Sequence, residues 1–117
     1  MEIQHKTNDG YSTLSISGRL DATSAPVAEQ KINEIIDGGA SQLLLNLSAL
    51  EFVSSAGLRV LLVTAKKLLR QNGTFALCGL QDGVRTVFEI SGFLSIFQVA
   101  ADEAEAAKFF SRKHACP

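Results

Sequence analysis

Apolar and polar residues alternate at the start of the chain. Met1, Ile3 and His5 are separated by Glu2 and Gln4, and Leu14 and Ile16 by Ser15. This period of two predicts strands, and the Asn8-Asp9-Gly10 turn signal between them makes positions 1–20 a hairpin. The period then changes. After Gly18-Arg19-Leu20-Asp21, Thr23 or Ser24 is placed to cap a helix, and Pro26 fits its first turn. Ala28, Ile32, Ile35 and Ile36 recur at helical spacing until Gly38-Gly39. Leu43-Leu44-Leu45-Asn46-Leu47 is nearly continuous in apolar residues, as in a central strand covered on both faces.

Ser54 or Ser55 then caps a second helix. Its stripe of Leu58, Leu61, Leu62, Ala65, Leu68 and Leu69 runs to the stop at Asn72-Gly73. Phe75–Cys78 reads as a further strand, 82–90 as a short helix with Val84, Val87 and Phe88 inward, 96–99 as a last strand, and 102–110 as a closing helix. In that helix, Phe109-Phe110 is expected on the buried stripe. The order β-β-α-β-α-β-α-β-α predicts an α/β fold: a small, mixed but mostly parallel sheet with about four helices and right-handed crossovers. The domain spans 1–110, and 111–117, without periodicity, is expected to be a flexible tail.

Length and composition fit this picture. At 117 residues, 46% hydrophobic and 20% charged, the chain has the makings of one self-sufficient core and not of a disordered segment. A formal charge of −1 with interspersed signs gives no support for nucleic-acid binding. The longest apolar runs, Val60–Val63 and Phe75–Cys78, are four residues, against about 20 for a membrane span. The first residues lack the apolar stretch of a signal peptide, so a cytoplasmic location is expected. Two cysteines, Cys78 and Cys116, lie far apart, and only His5 and His114 offer imidazole nitrogen. No zinc site and no cofactor is expected, and Cys78 reads as a small core side chain.

Catalytic patterns are missing in the same way. There is no Gly-x-x-x-x-Gly-Lys-Ser/Thr, no Gly-x-Gly-x-x-Gly after a strand, no Gly-x-Ser-x-Gly elbow, and no pair of carboxylates at a strand-to-helix junction. Gly79-Leu80-Gln81-Asp82-Gly83 leads from a strand into a helix without the lysine of a phosphate cradle, and reads as a plain turn. The chain is expected to bind and not to catalyse.

One stretch does carry chemistry. From Asn46 to Leu62 a buried strand leads through a loop that delivers two adjacent hydroxyls, Ser54 and Ser55, to the start of an amphipathic helix. A serine there is a helix cap, contributing about 1 kcal/mol over alanine. A serine there is also suited to carry a phosphoryl group, because free backbone N–H groups and the positive end of the helix dipole would receive the anion. The two roles are compatible. The same helix carries Arg59, Lys66, Lys67 and Arg70 and no acidic residue. The last three complement the helix C-terminus, whereas Arg59, near the serines, suits an acidic partner.

Ser54-Ser55-Ala56-Gly57-Leu58, with Gly18-Arg19-Leu20-Asp21, Gly79-Leu80 and the region 88–97, resembles the signature of STAS domains of the anti-sigma factor antagonist family over nearly the whole chain. The resemblance implies a STAS-like fold and partner switching. The unphosphorylated antagonist binds an anti-sigma factor that is a serine kinase of the histidine-kinase-like ATPase type and so frees a sigma factor. Phosphorylation by that kinase releases the antagonist, and a PP2C-like phosphatase resets it. By the same resemblance Ser55 is the phosphoacceptor, with Asp21 and Thr23 beside it on the docking face; Ser54, Ala56, Gly57, Leu58 and Arg59 are expected to complete the partner-binding surface, on a monomer or weak dimer. Two positions depart from the family pattern: Asn46 replaces an aspartate expected near the acceptor hydroxyl, and Ala56 replaces a hydroxyl residue. The alternatives on this fold are an accessory subunit binding the ATPase of a lipid-transporting ABC system, and a small-molecule or nucleotide-binding sensor.

Overall fold

The computed structural model describes residues 1–8 and 10–111. Strands β1 (Glu2–Asn8) and β2 (Tyr11–Leu20) form the predicted hairpin, followed by helix α1 (Ala25–Asp37) and strand β3 (Gln42–Asn46). A short strand β4 (Leu50–Val53) precedes helix α2 (Ser55–Arg70). Then come β5 (Thr74–Cys78), α3 (Asp82–Ile90), a 3-10 turn at Phe93–Ser95, β6 (Gln98–Ala100) and α4 (Glu103–Ser111). The sheet order is β1-β2-β3-β5-β6, with β1 antiparallel to β2 and the other neighbours parallel. The expected flexible tail lies outside the described residues beyond Ser111, as do His114 and Cys116.

β3 is central, and Leu43, Leu44 and Leu45 are fully buried because each sheet face has a cover. Leu43 and Leu45 join Leu14, Ile32, Leu61 and Phe88 in the larger core under α1, α2 and α3. Leu44 points the other way, toward Ala106 and Phe110 of α4, where Tyr11 stacks on Phe110 with ring centroids 4.6 Å apart. Phe110 is buried as expected, whereas Phe109 is half-buried.

Three expectations change. β4 was not foreseen: its pattern is one buried residue at each end with exposed Glu51 and Phe52 between, too short to show a period. It extends the sheet by pairing parallel with the far half of β2, where the ladder shifts between Gly18 and Arg19. On α2, the buried face is Gly57, Leu58, Val60, Leu61, Thr64 and Leu68, and Leu69 is 74% exposed. Leu69 is rotated about 100° past Leu68 and off the stripe, while Thr64 is tolerated inside because its hydroxyl donates to Val60 O at 2.8 Å. The last strand starts at Gln98 and not at Ile96, which is 53% exposed after the 3-10 turn. Phe97 holds that turn down, edge-on to Phe75, Phe88 and Phe93 at centroid distances of 5.9, 5.8 and 6.1 Å.

Cys78 is buried at the end of β5, and burial, with smaller contributions from Glu103 and Asp102, pushes its thiol up to about 11. Ionisation costs more in the folded state than at the ordinary value of 9.0. The neutral thiol's contribution to stability is therefore complete below that value and is lost as pH rises through the folded value. Iodoacetamide is expected to leave Cys78 unlabelled in the native protein at neutral pH and to label it in denaturant, read by peptide mass. Labelling at equal rates in both states would contradict this packing.

Candidate functional site

The site forms where β2 and β4 end side by side. Ser54 N donates to Leu20 O at 2.9 Å, which ties the start of α2 to the residue before Asp21. Ser54 is extended at φ −95°, and its Oγ accepts from Gly57 N at 3.3 Å. Of the two serines, Ser54 is therefore the cap. Ser55 is the first helical residue and is exposed, with no acidic residue in the first turn beside it.

The Asp21 loop is built from local hydrogen bonds. Asp21 Oδ1 accepts from Thr23 N at 3.0 Å and Ser24 N at 3.2 Å, and Ser24 Oγ accepts from Asp21 N at 2.9 Å and donates to Arg19 O at 2.8 Å. Ser24 occupies the N-cap position of α1 yet makes no side-chain cap, because its hydroxyl is spent on this loop. The Ser24 and Thr23 amides, the Ser24 hydroxyl and Arg19 hold the Asp21 carboxyl below its ordinary value, against an opposing desolvation. With the folded value lowered, the loop's stabilisation is present above the ordinary carboxylate range and is lost as pH falls through the folded value. Asp21→Asn keeps an acceptor oxygen and is expected to make the fall in melting temperature on acidification slightly shallower than in wild type. An unchanged profile would mean that the loop does not depend on the carboxylate.

Among the expected partner-binding residues, Thr23 and Arg59 are exposed, and Asp21, Ser54 and Ala56 are partly so. Gly57 and Leu58 are buried and offer no surface. A Cβ on Gly57 would lie 2.7 Å from Leu20 O, so this residue is a point of close approach beneath the site. Arg59 lies one turn after Ser55 on α2 and is exposed, so it shares the helix face of Ser55.

Asn46 is not part of this site. Its side chain has the pleat direction of Leu44, and its Nδ2 donates to Glu103 Oε2 of α4, on the face of the sheet opposite α2. Its Oδ1 accepts from Ser48 N at 2.9 Å. The expectation that Asn46 changes the surroundings of the acceptor hydroxyl is therefore corrected: strand alternation turns it away. A pair absent from the expected set does flank the site. The Arg19 guanidinium lies 4.2 Å over the Phe52 ring, with Arg19 Nε 3.8 Å from Asp21 Oδ2, and Phe52 is 37% exposed. Arg19 and Phe52 face each other only through the pairing of β4 with β2. Among the described residues no three of His, Cys, Asp or Glu cluster as a metal site would require.

These features define a small α/β domain that presents an exposed serine at a helix N-terminus, with an arginine–phenylalanine pair on the strands that end there. The STAS domain model matches residues 2–106, and the chain belongs to that family. It is 44% identical over 110 residues to a Bordetella bronchiseptica protein named "Putative anti-sigma factor antagonist BtrV", covering 93% of this chain and 95% of that one. It is 29% identical over 101 residues to the anti-sigma-B factor antagonist of Bacillus subtilis, covering 86% and 92%. An anti-sigma factor antagonist from Mycobacterium paratuberculosis superimposes with a TM-score of 0.85 at 28% identity, covering 93% of this chain and 92% of that one. No described helix is long and apolar enough to cross a membrane.

Proposed function

We propose that this protein is an anti-sigma factor antagonist that works by partner switching in the cytoplasm, with Ser55 as its phosphoacceptor. The observation that carries the reading is the division of labour between the two serines. Ser54 Oγ is engaged with Gly57 N, while Ser55 is exposed at the first position of α2. A kinase can modify Ser55 without dismantling the cap, and the helix N-terminus receives the new anion. In the unmodified state the exposed face of Thr23, Asp21, Arg59, Ser55 and Phe52 docks on an anti-sigma factor that is a serine kinase of the histidine-kinase-like ATPase type. Phe52, half-covered by Arg19, supplies the aromatic and arginine character that interface anchors favour. A PP2C-like phosphatase returns the modified protein to the binding state. The chain acts by binding, with no turnover of its own.

The test is an intact-mass measurement of the protein from its own cells, before and after phosphatase treatment, together with identification of what co-purifies. The expected result is a species heavier by one phosphoryl group on Ser55 that phosphatase removes, and a kinase-type anti-sigma factor bound only to the lighter form. Co-purification of a transporter ATPase with the unmodified chain would replace this reading with the accessory-subunit one.

A further inference from the structure

At the end of α2 remote from Ser55 the sheet is incompletely covered. The crossover helix α3 packs on β4, so the starts of β5 and β6 are left facing the last turns of α2. Between them lies a half-open groove of about 450 Å³, a volume within the range of roughly 300–1,000 Å³ typical of small-molecule sites. Phe75 and Phe97, edge-on to each other at 5.9 Å and nearly buried, form its floor, and Leu62, Ala65, Leu69 and Ile96 add aliphatic surface. Leu69 and Ile96, two residues whose exposure departs from the sequence pattern, both border this groove. Its polar side chains are few: the Lys66 ammonium, the Thr74 hydroxyl and the Gln98 amide. Among the described residues Lys66 is its only charged one, and no acidic side chain lines it. At this end of α2, Gln71 N and Gly73 N donate to Leu68 O, and Asn72 N donates to Leu69 O.

We infer that this groove binds a free anionic amphiphile, a carboxylate on an aliphatic chain, with the chain over Phe75 and Phe97 and the carboxylate at Lys66. Charge and size select that occupant. At roughly 30 Å³ per water-sized group the space seats about fifteen heavy atoms, and a single lysine with no acidic neighbour among the described lining residues favours one negative charge. A docked protein would bring a polar rim with some ten hydrogen bonds to satisfy, and three polar side chains do not supply them. A second copy of this chain would set Lys66 against the equally basic end of its own α2, with Lys67 and Arg70 in the last turn.

The test uses the full chain, labelled with ¹⁵N and titrated with octanoate, 1-octanol and octyltrimethylammonium below their micelle concentrations. Octanoate is expected to give saturable shifts at Leu69, Thr74, Phe75 and Phe97, to bind more tightly than the cationic amphiphile, and to leave Ser55 unmoved. Ala65→Trp, which fills the groove, is expected to abolish those shifts. The exposed Lys66→Gln is expected to weaken octanoate about three- to ten-fold while leaving octanol unchanged. Equal binding of the cationic amphiphile, shifts that do not saturate, or co-sedimentation with phosphatidylglycerol vesicles without saturable octanoate binding would each overturn the inference. None of these readouts depends on phosphorylation of Ser55, so the groove and the switch fail or stand separately.

Discussion

Ser55→Ala is expected to bind the anti-sigma kinase as tightly as wild type and to remain bound when ATP is added, whereas wild type is released. The phosphoryl group adds about −1.5 to −2 charges and three acceptor oxygens. Within the domain it is well received. Ser55 opens α2 with no acidic neighbour in the first turn, and a helix N-terminus stabilises an anion by about 0.3–1 kcal/mol. At the interface the same group must be desolvated against a surface shaped for a hydroxyl. An uncompensated buried charge there costs several kcal/mol, and each 1.4 kcal/mol is about tenfold in affinity. Affinity is therefore expected to fall by two orders of magnitude or more while the melting temperature moves by only a few degrees. Ser55→Ala keeps the fold because the cap belongs to Ser54, and Ser55→Glu is expected to fold normally and bind poorly. The measurement is a titration of the three proteins against the kinase with and without ATP, alongside thermal melts. An identical response of wild type and Ser55→Ala to ATP would leave Ser55 a plain helix residue and favour the accessory-subunit reading.

The parts of the molecule legible from the sequence are those where one residue decides one local property. Gly38-Gly39 and Asn72-Gly73 stop their helices where expected, Asn72 adopting φ 59°. The leucine run at 43–45 becomes the strand with both faces covered, because no polar side chain interrupts it. What escaped the sequence depends on pairing between distant segments. β4 exists because the far half of β2 has no other neighbour on that side, and four residues with two inward side chains carry no period by themselves. The Arg19–Phe52 stack follows from that pairing and was invisible for the same reason. Asn46 was misplaced because the family pattern is linear, whereas strand alternation sends it to α4 and leaves Ser55 on the other side. The serine pair shows the opposite case: spacing left open which hydroxyl caps, and a single hydrogen bond from Gly57 N decides it.

Gly57→Ala is expected to be strongly destabilising, and Gly83→Ala stabilising, although both exchange a helical glycine for the best helix former. Propensity alone predicts a gain of roughly 0.5–1 kcal/mol at each. At Gly83, in the first turn of α3, a Cβ meets nothing within 4 Å, so no clash offsets the part of that gain a first-turn position retains. At Gly57 the Cβ would lie 2.7 Å from Leu20 O, 2.8 Å from Leu20 Cγ and 2.9 Å from Val53 Cγ2. The first of these is backbone, and the carbonyl it strikes already accepts from Ser54 N. Relief requires α2 to move off β2, which stretches the bond that seats Ser55 and opens the packing of Leu58 and Leu61 in the larger core. Overpacking of this kind costs typically about 1–3 kcal/mol, and a broken buried hydrogen bond adds to it. A net loss of roughly 2–4 kcal/mol follows, enough to lower the melting temperature by on the order of 10 °C in a domain of this size. Kinase affinity should fall with it, because the displaced helix carries both Ser55 and Arg59. Thermal melts of the two variants against wild type decide the matter: a Gly57→Ala protein as stable as Gly83→Ala would mean that α2 does not lean on the end of β2 as closely as these distances require.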